Sequence, residues 1–160
     1  MTFQALPTAT VEAYRNGAVD AYGQPPERVI SDGDSKPCRH CLKNVPKGAE
    51  MLILAYRPFD ELHPYAETGP IFLCANACTR GGGNAELPPI LRTSPDYLLK
   101  GYSPDNRIVY GTGAIVAPDD IPAYKAKVFA DPLVAYIHVR SARNNCYLAR
   151  SDRDESSLVP

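Results

Sequence analysis

Tryptophan is missing from this chain, and neither sign of charge is in excess: 17 lysines and arginines oppose 18 aspartates and glutamates. Proteins that bind nucleic acids or acidic membranes broadly carry a basic excess, so this balance argues against either as the main partner. No run approaches the ~20 apolar residues of a membrane span, and residues 1–17 lack the basic and apolar regions of a secretion signal. We therefore expect a soluble, cytoplasmic protein whose partner the sequence does not define.

The familiar catalytic motifs are also missing. The sequence contains no phosphate-binding loop, no dinucleotide-binding glycine fingerprint, no serine nucleophile elbow and no His-Glu-x-x-His helix. The common nucleotide-dependent, serine hydrolase and zinc protease classes therefore have no support, and whether the chain is an enzyme stays open.

Length and composition predict one folded domain. A chain of 160 residues can bury a core of its own, so a metal would add to the fold without being its sole support. We predict a single domain over residues 1–153 and a frayed polar tail over residues 154–160. The 16 prolines indicate many short elements joined by turns.

Apolar runs bounded by turn residues predict the secondary structure. Strands are expected at residues 3–6, 51–56, 71–73 and 107–116, and an irregular loop at residues 23–37. Helices are expected at residues 11–15 with Thr8 as the cap, at residues 97–100 after Ser94-Pro95, and after Asp119-Asp120. The chain should end in a β-hairpin that turns at Asn144-Asn145. Strands without a regular βαβ rhythm indicate an α+β protein with a largely antiparallel sheet and two or three short helices.

Four of the five cysteines fall into two close pairs, which is the sharpest chemical signal in the sequence. Two residues separate Cys38 from Cys41 and three separate Cys74 from Cys78, within the two-to-four range of zinc ligand pairs. If the strands at 51–56 and 71–73 form a hairpin, both pairs meet at its open end. We therefore predict a structural zinc held by four thiolates, with no open position for water or substrate.

Other interpretations of these thiols stay open. Cys74 and Cys78 could be small core residues, with Cys38 and Cys41 in a loop without a role. A redox dithiol would need Cys38 at a helix N-terminus, and there is barely room for a helix before Pro46. His40 lies inside the first pair and could replace one cysteine as a ligand.

The predicted terminal hairpin is the second candidate site. With a two-residue turn, Tyr136, His138, Arg140 and Tyr147 share one face, and Ile137, Val139, Cys146 and Leu148 share the other. The candidate ligand surface, which could interact with a partner or hold an anion, comprises His138, Arg140, Arg143 and Cys146. A three-residue turn would instead place Cys146 beside His138 and Arg140. The alternative function is then a thiol redox protein or cysteine-nucleophile enzyme that uses Cys38 or Cys146, with His40 or His138 as base.

Several stretches carry a resemblance to a known family. They are Pro-Cys-Arg at 37–39, the run at 52–56, Tyr65 followed by Gly69-Pro70-Ile71-Phe72, and the closing segment 141–147 with Arg150, Asp152 and Arg153. Together they resemble a bacterial domain of unknown function, the family numbered 1203, over roughly residues 3–153. The resemblance implies a single soluble bacterial domain without an assigned activity.

The same resemblance bears on the cysteines. It implies that Cys38 and Cys146 belong to the family's pattern, whereas Cys41, Cys74 and Cys78 belong to a subset of its members. Zinc would then be a structural feature of this chain and not the shared function of the family. A joint site of Cys38 with Cys146 stays open.

Overall fold

Every pairing between strands is antiparallel in residues 1–154, the part of the chain that the computed structural model describes. These residues form eight strands, β1 Phe3–Gln4, β2 Glu27–Ile30, β3 Glu50–Tyr56, β4 Gly69–Cys74, β5 Tyr97–Tyr102, β6 Ala114–Val116, β7 Tyr136–Ser141 and β8 Tyr147–Asp152. The helices are α1 Thr8–Arg15 and α2 Ile121–Phe129, with short 3₁₀ turns at Pro89–Arg92 and Pro118–Asp120. The predicted α+β class with a C-terminal hairpin is confirmed.

The strands form two sheets, each with its own core. One sheet has the order β1-β8-β7-β5-β6, and its apolar side chains pack against α2 through Ile121, Val128 and Phe129. The other has the order β2-β3-β4, and its core includes Val11 of α1 together with Cys38 and Cys74. Tyr147 of β8 belongs to this second core, so it links the two sheets.

The hairpin of β3 and β4 matches the prediction most closely. Met51 lies opposite Cys74 in the register, so the second cysteine pair begins where β3 starts and β4 ends. The helix prediction near residues 11–15 is also confirmed, but Thr8 is not its cap: Pro7 takes the cap position, and the Thr8 hydroxyl contacts His40 instead.

Three local predictions are wrong. Residues 97–100 form strand β5 instead of a helix, because β6 and β7 pair with both of its edges and this tertiary context overrides the local cap signal. Residues 27–30 form the edge strand β2 inside the predicted loop; all four are exposed, so no alternating apolar pattern marks them. The predicted strand 107–116 is shortened to Ala114–Val116, since Gly111 turns the backbone at φ +92°.

Two expectations from the sequence concern the tail over residues 154–160 and membrane-spanning segments. The predicted tail lies outside the described residues except for Asp154. No helix within residues 1–154 has the length and apolar character that crossing a membrane requires.

The segment after the second cysteine pair lies directly against β1. Gly83 N donates a hydrogen bond to Phe3 O at 2.7 Å, and Phe3 N donates to Asn84 O at 2.9 Å. A Cβ added to Gly82, whose φ is +74°, would lie 2.6 Å from Phe3 O, whereas one added to Gly83, at φ +78°, would meet nothing within 4 Å. The first glycine is therefore required by a close backbone approach, and the second only by its φ angle.

This difference predicts unequal effects of two alanine substitutions. Gly83→Ala should lower the free energy of unfolding by about 1–2 kcal/mol, the cost of a left-handed backbone for a residue with a Cβ. Gly82→Ala should lower it by at least about 1 kcal/mol more, because a clash with backbone is added. Urea unfolding of both variants measures the difference, and equal losses would contradict the close approach.

Candidate metal centre

The first cysteine pair lies in a tight loop, residues 36–45, which we call the cysteine loop. Cys38 N donates to Lys43 O at 2.9 Å, Val45 N donates to Lys36 O at 2.8 Å, and Leu42 N donates to Cys38 O at 3.0 Å. Leu42 takes a left-handed φ of +58° immediately after Cys41. The loop therefore folds back on itself within a few residues and keeps Cys38 and Cys41 side by side.

The cysteine loop lies against the end of β4, where the second pair begins. Arg39 N donates to Phe72 O at 3.1 Å, and Cys38 forms a bridge with the same residue. Cys74 is the last residue of β4, and Cys78 follows after a bend. The contact with β4 is what brings the two pairs together, although their members lie 33 to 40 positions apart in the sequence.

The four sulfurs of these residues converge. The Sγ atoms of Cys38, Cys41, Cys74 and Cys78 all lie within 4.8 Å of one another, and those of Cys41 and Cys74 are 4.0 Å apart. Four sulfurs bound tetrahedrally at about 2.3 Å from one zinc ion would be about 3.8 Å apart. The group could therefore hold a metal ion after only a small contraction.

N–H groups donate to two of the sulfurs. Cys74 N donates to Cys38 Sγ at 3.3 Å, and Arg15 Nη2 donates to Cys78 Sγ at 3.2 Å. The Nδ1 atom of His40 lies 3.1 Å from Cys78 Sγ. Donors of this kind favour the charged thiolate over the neutral thiol, and metal ligands are commonly oriented by such outer hydrogen bonds.

His40 contacts one of the sulfurs but is not itself part of the converging group of ligands. Its Nε2 atom lies 2.9 Å from the Thr8 hydroxyl, so both ring nitrogens have partners. Burial, and then the neighbouring charge of Arg15, lower the pKa of His40 below its usual value. A neutral ring that donates from Nδ1 to Cys78 and accepts from Thr8 at Nε2 satisfies both contacts.

The pKa values of the thiols show how crowded the group is. Hydrogen bonds from the thiols of Cys41 and Cys74 hold the pKa of Cys38 far below its usual range. The hydrogen bond to that thiolate raises the pKa of Cys41 to about 11 and raises the pKa of Cys74 as well. Without a cation, these three cysteines thus favour a thiolate at Cys38 beside two protonated neighbours, and a divalent metal would displace those two protons.

The structure brings together only part of the predicted ligand surface: Arg143 and Cys146 line one depression, which His138 and Arg140 do not line. His138 and Arg140 are buried, and Arg140 forms an ion pair with Glu67 at 3.0 Å. Arg143 is 58% exposed and pairs with Asp96 at the hairpin tip. The surface predicted from the hairpin pattern is therefore divided into a buried part and an exposed part.

Cys146 and His138 have different surroundings. The Cys146 thiol is half-buried, donates to Asn144 O at 3.6 Å and lines a depression together with Arg39 and Phe72. His138 instead contacts the ring of Tyr147, with centroids 5.0 Å apart. Cys146 also lies outside the converging group of sulfurs, and it is a free thiol like the other four.

The loop between β7 and β8 explains on which face of the hairpin each of these residues lies. Ser141 N donates to Cys146 O at 2.9 Å, so four residues form the loop where a two-residue turn was predicted. A difference of two residues leaves the faces near the tip unchanged, because side chains alternate with period two. A β-bulge beside Val139 and Arg140 then shifts the register by one residue, which places Arg150 opposite His138. No feature of the sequence marked that bulge.

The sequence did not predict two residues that form hydrogen bonds at the cysteine site. Arg15 and Thr8 reach the site from α1, which is far from the cysteines in the chain. An arginine in the last turn of a short helix carries no local signal of this role, and only the packing of α1 reveals it.

Comparison with known proteins gives one match. The model of a family described as a protein of unknown function, DUF1203, matches residues 35–153, which include both cysteine pairs and Cys146 but not α1. No curated protein and no solved structure matches the chain. Because the match covers most of the chain and all of its cysteines, the protein belongs to the DUF1203 family, as its sequence resemblance indicated.

Proposed function

We propose that the protein binds one Zn²⁺ ion through Cys38, Cys41, Cys74 and Cys78, and that this ion is structural. The observation that carries the proposal is the convergence of the four Sγ atoms within 4.8 Å of one another. Thiolates are soft ligands that favour zinc among the abundant divalent metals, and an all-sulfur tetrahedral set is typical of structural zinc.

The arrangement supports a structural role over a catalytic one. Four protein ligands complete the tetrahedral coordination of zinc, so water or substrate finds no open position. The ion would join the cysteine loop to the end of β4 and, through Arg15, to the last turn of α1. Three segments that are distant in the chain would then depend on one ion.

The thiol-enzyme alternative receives less support from the geometry. Cys38 is 0% exposed, so a substrate could not reach its sulfur without movement of the cysteine loop. His40 contacts the sulfur of Cys78 instead of that of Cys38. Cys146 is more accessible, but its thiol donates to Asn144 O, and no hydrogen bond joins it to His138 in the described residues.

The zinc proposal first predicts metal content and thermal stability. Protein purified without a histidine tag should contain about one zinc per chain by elemental analysis, and a strong chelator should lower its melting temperature by at least about 10 °C. That shift corresponds to about 3–5 kcal/mol in a chain of this size.

Two serine variants make the same test specific. Cys41→Ser should lose most of the zinc and much of the thermal stability, because the half-exposed Cys41 supplies a ligand with little loss of core packing. Cys146→Ser should retain both, because its sulfur lies outside the group. A metal-free wild type whose melting point ignores chelation would refute the proposal, and equal zinc loss in both variants would refute the assignment of ligands.

A further prediction concerns the N–H donors. Arg15→Gln should weaken zinc affinity by about 10–100-fold, the usual effect of removing an outer hydrogen bond to a metal ligand. Arg92→Gln is the matched control, because the Arg92 side chain is exposed and forms no hydrogen bond or ion pair among the described residues. Competition with a chromophoric zinc chelator measures both affinities, and an unchanged Arg15→Gln value would remove Arg15 from the site.

A further inference from the structure

A cavity separate from the metal centre lies beside β7 and β8. It has a volume of about 610 Å³ and is lined mainly by residues 4–7, by residues 56–60 from the last residue of β3 onward, and by side chains of the terminal hairpin. This volume lies within the range of small-molecule sites. None of the four converging sulfurs lines it, so a ligand bound there would not contact the proposed metal ligands.

Two polar groups on the wall of this cavity have no hydrogen-bond partner among the described residues, and one of them is fully buried. His138 is 1% exposed, and its Nδ1 atom has no partner in the described residues. Tyr147 is 7% exposed, and its hydroxyl forms no hydrogen bond within residues 1–154. Buried polar atoms are almost always paired in folded proteins, so the unpaired Nδ1 atom of His138 indicates a missing partner. The Tyr147 hydroxyl is not fully buried and is free to form a hydrogen bond with the same partner. A bound ligand supplies such a partner.

Two arginines bring positive charge to the same cavity. Arg57 donates through Nε to Phe59 O at 3.0 Å, and Arg80 donates through Nη2 to Ala5 O at 2.8 Å. Carbonyl groups position a guanidinium without cancelling its charge. Neither arginine forms an ion pair in the described part of the chain. Both guanidinium groups therefore keep N–H donors and charge for a carboxylate.

The remaining charges on the wall set the charge of the ligand. Arg150 lies in the cavity because the β-bulge places it on the face of His138, and it pairs with Asp152 at 2.6 Å. Asp60 also lines the wall, so three arginines face two aspartates. Burial, followed by the charges of Arg140, Arg150 and Lys100, lowers the pKa of His138, which keeps this ring neutral. The net charge of about +1 suits a monoanion.

Aromatic rings form much of the rest of the wall. Tyr14, Tyr56, Phe59 and Tyr147 all line the cavity. The rings of Tyr56 and Tyr147 are 5.6 Å apart and tilted by 55°, so they do not stack on each other. Rings in this position can pack against a planar ligand face or edge.

We propose that this cavity binds an aromatic carboxylate. The carboxylate is held by Arg57 and Arg80, the planar ring packs against Tyr56 and Tyr147, and His138 Nδ1 provides a buried hydrogen-bonding position. Of the residues predicted from the hairpin pattern, only His138 takes part, because Arg140 is paired with Glu67 and Arg143 lies at the tip.

The test uses three small probes and the full chain as purified. Benzoate carries both the charge and the ring, benzamide the ring alone, and acetate the charge alone. Titration followed by ¹H–¹⁵N correlation spectra should give a dissociation constant of about 1 mM or less for benzoate. Benzamide and acetate should each bind at least about fivefold more weakly, since each lacks one of the two recognised groups.

Variants then locate the binding. Arg57→Gln and Arg80→Gln should each weaken benzoate binding at least about fivefold, and Tyr147→Phe should weaken it by a smaller factor, with otherwise native spectra. Arg92→Gln, on an exposed position outside the cavity, should bind benzoate like the wild type. Tyr147→Phe keeps the ring, so any loss reports the hydroxyl and not the packing.

Several results would overturn the proposal. Absence of benzoate-induced shifts at about ten times the expected dissociation constant would do so, as would equal binding by benzamide. Acetate that binds as tightly as benzoate would refute the aromatic specificity. An unchanged affinity in both Arg57→Gln and Arg80→Gln would place the carboxylate elsewhere.

Discussion

Four cysteine sulfurs held within 4.8 Å of one another are the constraint on which one end of this structure depends. Four thiolates repel one another strongly at that distance unless a cation lies between them. The surrounding chain favours negative sulfur at this point, because a backbone N–H, the Arg15 guanidinium and the His40 ring all point at the group. The cysteine loop, the end of β4 and α1 meet where these contacts converge.

Arg39 connects the cysteine loop to strand β8 of the larger sheet. Its guanidinium is buried and donates to Pro37 O at 2.6 Å and to Tyr147 O at 2.7 Å. Burial lowers its pKa to about 10, so the group remains charged at neutral pH. Arg39 of the cysteine loop thus fixes the backbone carbonyl of Tyr147 through a hydrogen bond. The ring of the same residue lines the cavity beside β7 and β8. The position of that ring depends on the loop that the proposed zinc ion holds.

The sequence was informative where the determining contacts are local. Paired cysteines at ligand spacing and two apolar runs joined by turns were sufficient to predict their convergence at one end of the β3–β4 hairpin. Strand β5 was mistaken for a helix because its identity depends on partners on both edges, which no local pattern records. The bulge beside Val139, which places Arg150 in the cavity, and the reach of Arg15 to Cys78 arise only from packing. Such contacts join residues with no fixed spacing in the chain.

X-ray absorption at the zinc edge of the purified protein identifies the ligands of the proposed ion directly. Coordination by the four cysteines predicts a single shell of four sulfur ligands at about 2.3 Å from the metal. Nitrogen or oxygen ligands at about 2.0–2.2 Å would contradict the assignment of all four cysteines. Protein that contains no zinc and takes none up would contradict the metal centre itself.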